Sequence, residues 1–138
     1  MGLNHKQIGE VAERTGLSLR TIRYYEEVGL VTPSTRSQGG FRLYTEVDVA
    51  RLELIKRMKP LEFSLEEMRE LLTALDRLDS EETSPAERDQ LVERLSMFQL
   101  AAEGRCTSLR GQLESAEAFA TSLRREIRRQ RRAAVDSS

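Results

Sequence analysis

With 138 residues, the chain has room for one ordinary domain and an appended element but not for two independent cores. A composition of 33% charged and 5% aromatic residues, without tryptophan, suits packed helices better than a β-sandwich, and a lone cysteine excludes an intramolecular disulfide. The net charge of −1 divides into +3 over residues 1–59, −8 over 60–104 and +4 over 105–138; a polyanion responds to local charge, so the first block remains open to nucleic acid.

The N-terminal MGLNHKQIGEVAERTG lacks the apolar core of a secretory signal, and no apolar run reaches membrane length, so a cytoplasmic protein is expected. The first periodic segment runs from about Gln7 to Thr15, with Ile8, Val11 and Ala12 on one face. Gly16 sits where a helix commonly ends in a left-handed residue. Ser18 follows as an N-cap for a second helix, LRTIRYYEEVG, which ends near Gly29 and turns Ile22 and Leu19 inward. Two short helices joined by so tight a turn form a helix-turn-helix.

The next stretch, TPSTRSQGGFRLY, is rich in turn residues. Phe41, Leu43 and Tyr44 then read as a strand, which gives a two-stranded hairpin, or wing, with Gly39 and Gly40 near its tip. Three more helix starts are legible. Thr45 with Asp48 opens a helix through Val49, Leu52, Ile55 and Met58 that Pro60 breaks; Ser64 with Glu67 opens one through Leu65, Met68, Leu71, Leu72 and Leu75. Ser84, Pro85 and Glu87 open the last, as N-cap, first-turn proline and reciprocal acid. Between the last two, LDSEET reads as a polar connector and a domain boundary.

From there the apolar positions are Leu91, Leu95, Phe98, Ala102, Cys106, Leu109, Leu113, Ala116, Ala120, Leu123 and Ile127. Their alternation of three- and four-residue steps is a coiled-coil seam, with one stutter between Ala102 and Cys106. A helix over 85–127 would be ~65 Å long, too long to lie buried against so small a head. Its seam needs a partner, and a second copy of the chain, giving a homodimer, is the simplest one. Gly104 and Gly111 each weigh against an unbroken helix by roughly 1 kcal/mol.

A helix that reads DNA buries one face and offers the other to the major groove. On LRTIRYYEE the outer stripe is Arg20, Arg23, Tyr24 and Glu27. Arginine forks suit guanine or phosphate, and a tyrosine hydroxyl can donate to phosphate. Ser18 and Thr21 add short donors at the helix N-terminus. Arg36 and Arg42 flank the Gly-Gly tip, so the hairpin brings both to one rim, where they could meet backbone or minor groove. The expected partner is double-stranded DNA.

TIRYYEEVGLVTP, then GGFRLY, then FSLEEMRELL resembles the MerR family of bacterial transcription regulators, in the family's order and spacing. The likeness covers residues 6 to 78 in detail, and the seam helix extends it to most of the chain. Together with the residue reading above, it gives a mainly α fold: a winged helix-turn-helix over 1–78, a connector at 79–84, an antiparallel coiled-coil dimerisation helix over 85–128 and a disordered tail over 129–138. It also implies a homodimer on a pseudo-palindromic promoter element, bending and untwisting it for RNA polymerase holoenzyme. By resemblance Arg20, Arg23 and Tyr24 fall on the recognition helix and Arg36, Phe41 and Arg42 on the wing. Tyr25 is either a phosphate contact or head packing. Two departures stand out: the wing aromatic is Phe41 where tyrosine is common, and KPLEFS has Pro60 and Glu62 where a glycine is usual.

Metal-sensing members carry several cysteines, whereas this sequence has one cysteine and one histidine, too few ligands for a metal or a four-cysteine cluster within one subunit. No cofactor is expected, and His5 reads as a surface residue. Cys106 is either a small hydrophobe filling the stutter, or a thiol switch or intersubunit bond near the dimer centre. Drug-responsive relatives carry a ligand domain after the helix; the sequence stops at Ser138, and none is expected here. A small apolar site using Met97, Phe98 or Phe119 is a further option, although such residues usually form core. The arginines of RREIRRQRRAAVDSS oppose the helix dipole favourably. No phosphate loop or catalytic pairing is present, so an enzyme is not expected. The alternative within DNA binding is a simple repressor or architectural protein without an inducer.

Overall fold

The computed structural model describes residues 5–33 and 35–137, with backbone alone at Thr35 and Arg36. A two-residue strand, β1 (Lys6–Gln7), precedes helix α1 (Ile8–Thr15). Gly16 then takes φ +77° and its N–H returns to Ala12 O at 2.8 Å, which closes α1 as expected. The Ser18 hydroxyl accepts from Thr21 N at 3.0 Å and starts α2 (Leu19–Glu27).

The hairpin is formed by β2 (Thr35–Arg36) and β3 (Arg42–Tyr44), antiparallel, with Arg36 opposite Arg42. Its turn closes through Gly40 N to Ser37 O, and Gly40 takes φ +83°, a conformation that favours glycine. To the expected two-stranded hairpin β1 adds a third strand, in the order β1-β3-β2, since Lys6 pairs with Tyr44. A strand of two residues has no periodicity to betray it.

Helix α3 (Glu46–Met58) begins with the Thr45–Asp48 capping box and runs into a 3-10 turn over Lys59–Leu61. Helix α4 (Leu65–Leu78) begins with the Ser64–Glu67 box. Between them Glu62 has φ +65°, the one left-handed non-glycine among the described residues. The departure noticed in KPLEFS is therefore a glutamate where glycine would be unstrained.

The core of this head joins Val11, Ile22, Tyr25, Leu30, Val31 and Tyr44 to Val49, Leu52, Ile55, Met58, Phe63, Met68 and Leu72. Leu19 does not belong to it, being 41% exposed. At ~100° per residue the inward face of α2 centres between Ile22 and Tyr25, and Leu19 lies ~90° off it.

Helix α5 (Pro85–Asp136) passes Gly104 and Gly111 unbroken and continues through residues expected to form a disordered tail from 129. Ser84 caps it, accepting from Glu87 N at 3.1 Å. The Glu87 carboxylate is not the expected reciprocal cap, because Arg77 Nη2 holds it at 2.6 Å. The connector is tied down as well: Thr83 is buried and its hydroxyl donates to Arg77 O, while Arg88 donates to Leu78 O. Two compact units result, and the first closes at Ser96 rather than at 78 because α4 and the first turns of α5 are pinned together. In the second unit, from Met97, the helix has no buried residue.

Candidate nucleic-acid interface

The ends of the helices that present the interface are held by cations from behind. Lys56 Nζ donates to Thr15 O at 2.6 Å at the end of α1, and Arg69 donates to Val28 O just past α2. Arg51 reaches Leu30 O and also pairs with Asp76 at 2.7 Å. Carbonyls at a helix C-terminus lack intrahelical donors and sit at the negative end of the dipole, so cations there satisfy both needs. Beside them, Glu46 accepts from Arg14 at 2.7 Å and pairs with the buried Lys6, also at 2.7 Å. These two cations, Arg14 first, hold the Glu46 carboxyl down at about 2.

On this support α2 presents Arg20, Arg23, Tyr24 and Glu27 along one depression. Arg20 and Arg23 are exposed and have no hydrogen bond or ion pair to other described residues. Tyr24 is 45% exposed, with its ring centroid 5.8 Å from that of Tyr25. Tyr25 itself is 3% exposed, and burial pushes its phenol up, with Tyr24 adding to the shift. Of its two expected roles, head packing fits this placement; a phosphate contact does not. Ser18 and Thr21 are bound to one another, Oγ to Oγ1 at 2.8 Å, on top of the cap bond. Both bonds give the pair a structural role at the start of α2.

The wing adds Phe41, 63% exposed, and Arg42. The side chain of Arg36 lies outside the described residues. A groove of about 210 Å³ joins wing to helix, lined by Gln7, Ile8, Arg23, Gly40, Phe41 and Arg42. Three expected contact residues therefore meet in one place. Gln7, Ile8 and Glu26 were not anticipated. The Glu26 side chain is largely covered, with Tyr44 Oη donating to its Oε1 and Arg42 Nε lying 3.0 Å from its Oε2. Its signal was present in the sequence: an acid one turn after Ile22, on the inward face of α2.

Among the described residues no group of three or more His, Cys, Asp or Glu is gathered to hold a metal. His5 is exposed and Cys106 half-buried. Met97 and Phe119, considered for an apolar site, are 69% and 66% exposed. No helix among the described residues is long and apolar enough to cross a membrane.

A helix-turn-helix with an arginine-bearing outer face, a hairpin wing sharing its groove and a long following helix define a winged helix-turn-helix protein. Residues 7–75 match the model of the MerR HTH family of regulatory proteins, and 49–116 match the model described as MerR, DNA binding. The chain belongs to the MerR family. It is 45% identical over 71 residues to the mercuric resistance operon regulatory protein of Bacillus cereus, covering 51% of this chain and 54% of that one. The chain thus spans about half the length of this curated relative. Among solved structures, PbrR691 from Ralstonia metallidurans CH34, in complex with lead(II), is 32% identical with a TM-score of 0.51, over 87% of this chain and 86% of that one. HiNmlR, a MerR family regulator lacking the sensor domain and bound to promoter DNA, has a TM-score of 0.62 at 23% identity, over 84% and 78% of the two chains, and supports the fold.

Proposed function

We propose that this protein is a sequence-specific transcription regulator, acting in the cytoplasm as a homodimer on a pseudo-palindromic promoter element in double-stranded DNA. The observation that carries this reading is the groove where Arg23 of the recognition helix meets Phe41 and Arg42 of the wing, beside the outer stripe that carries Arg20 and Arg23. Arg20, Arg23 and Tyr24 enter the major groove, while Phe41 and Arg42, with Arg36, track the adjacent backbone or minor groove. Ser18 and Thr21 set the start of the reading helix.

The second unit supplies the dimer. Leu109, Leu113, Leu123 and Ile127 are 46–58% exposed along one seam, and a second copy covers them. Leu91, Leu95, Phe98, Ala102 and Cys106 continue the seam toward the head, and Ala116 and Ala120 allow close approach. Six arginines between 124 and 132 disfavour a parallel pair, which would set like charges side by side; an antiparallel pair avoids this. Two heads on one duplex bend and untwist it, offsetting a deformation of roughly 1–6 kcal/mol with protein contacts, and present the promoter to RNA polymerase. The protein is a regulator, and we assign it no reaction and no cofactor.

Genome-wide mapping of bound sites, with footprinting of the strongest, tests this. A site between promoter hexamers with a distorted centre is expected. A site overlapping the transcription start would favour the simple-repressor alternative, and no preference for any promoter fragment over random duplex would overturn the proposal.

A further inference from the structure

We propose that Glu26 is a positioning residue for DNA recognition, locking the wing to the recognition helix by engaging Arg42 and Tyr44 at once. The inference rests on the DNA-binding reading above and names the residue that sets its geometry.

Glu26 lies in the last turn of α2, three residues after Arg23, with its side chain only 8% exposed. A carboxylate removed from water is costly unless its oxygens are partnered. Here each oxygen has a different partner: Oε1 accepts from Tyr44 Oη, and Oε2 lies 3.0 Å from Arg42 Nε. Both partners sit on β3, two residues apart, and so on the same face of the strand. One side chain thereby fixes both the position and the roll of β3 against α2.

The wing needs such a lock. Its strands are two and three residues long, and a hairpin of that size has little stability of its own. The lock also orients the wing arginine. Glu26 engages Arg42 through Nε, which leaves the terminal Nη groups for a phosphate, and Arg42 lines the groove with Arg23 and Phe41. An arginine already held in its binding conformation loses less side-chain freedom when it meets DNA. Glu26 touches no DNA; it acts through Arg42 and the strand that carries it.

The test is a double-mutant cycle in the full chain, with operator and random duplexes. Glu26→Gln can satisfy one donor but not both, and it should weaken operator binding by about tenfold. Arg42→Ala should weaken it at least as much. The double variant should bind better than the product of the two single losses predicts, because part of the Glu26 effect runs through Arg42. Glu26→Gln should also lower the slope of log affinity against log salt by about 1, the signature of a lost phosphate contact. Glu26→Asp keeps the charge on a shorter arm, cannot span both donors, and should reproduce the loss if the glutamine variant folds poorly. Losses that multiply in the double variant, a salt slope that does not move, or wild-type binding by Glu26→Gln would each overturn the inference. If the wild-type chain itself shows no preference for any promoter duplex, the functional reading fails; if it binds and the cycle is additive, only this inference fails.

Discussion

Individual side chains divide into those that reach outward and those that hold the reaching ones still. Arg23 is the outward residue at the centre, since it borders both the groove and the outer depression. Arg23→Ala should cut operator affinity at least tenfold by the usual worth of a base or phosphate contact, leaving the mass in solution unchanged; operator binding like wild type would remove Arg23 from the interface. Glu46 belongs to the holding set. Its carboxyl falls from 4.5 to about 2 because Arg14, then Lys6, favour the charged form. A group whose value is depressed on folding contributes stability above its unfolded value and loses it as pH falls, here between 4.5 and 2. With the Glu46 side chain 59% exposed, water screens much of this, so the contribution is small. A carboxyl NMR titration should place Glu46 near 2 in the folded protein, and Glu46→Gln should flatten the acid limb of the stability curve in that window. An ordinary midpoint would show the Arg14 and Lys6 contacts to be too weak to matter.

At the scale of elements, the helix starts were legible because the chemistry that begins a helix is local. Ser18, Thr45 and Ser64 all accept from the backbone three residues on, as their spacing requires. Helix ends and junctions depended more on neighbours. The α3–α4 corner places Glu62 in a left-handed conformation that costs an L-residue about 1–2 kcal/mol. Glu62→Gly should therefore raise the urea midpoint, by the equivalent of about 1 kcal/mol. A lower midpoint would mean that side-chain contacts of Glu62 outweigh its backbone strain. In α5, a Cβ added at Gly111 meets nothing within 4 Å, so Gly111→Ala should stabilise the helix by about 1 kcal/mol. Thermal melting followed by circular dichroism checks this, and a fall would indicate that Gly111 is covered in the assembled protein.

For the molecule as a whole, the charge blocks acquire a structural meaning. Three acids of the middle block pair with arginines: Glu70 with Arg94, Asp76 with Arg51 and Glu87 with Arg77. Other acids sit in first helical turns, where the dipole favours them, as Glu66 and Glu67 do in α4. The seam sets the other whole-molecule property. Replacing Leu109 and Leu113 with glutamate removes two leucines from each copy, each contributing roughly 2 kcal/mol when covered. Sedimentation should show the mass falling to that of one chain, with each head still folded by circular dichroism; an unchanged mass would refute the seam as the dimer surface.

What the residues decided alone had a short-range cause: the Ser18, Thr45 and Ser64 caps, the Gly16 and Gly-Gly turns and the outer arginine stripe. Each depends on neighbours within about a turn of helix or a hairpin, and those neighbours are adjacent in the chain. What required the folded molecule was every pairing between distant segments: the third strand at Lys6, Lys56 beneath α1, Tyr25 in the core, and the Glu26 carboxylate between Arg42 and Tyr44. Such contacts are selected by which faces meet in three dimensions. A charged side chain looks alike in sequence whether it faces solvent or closes an ion pair between distant segments.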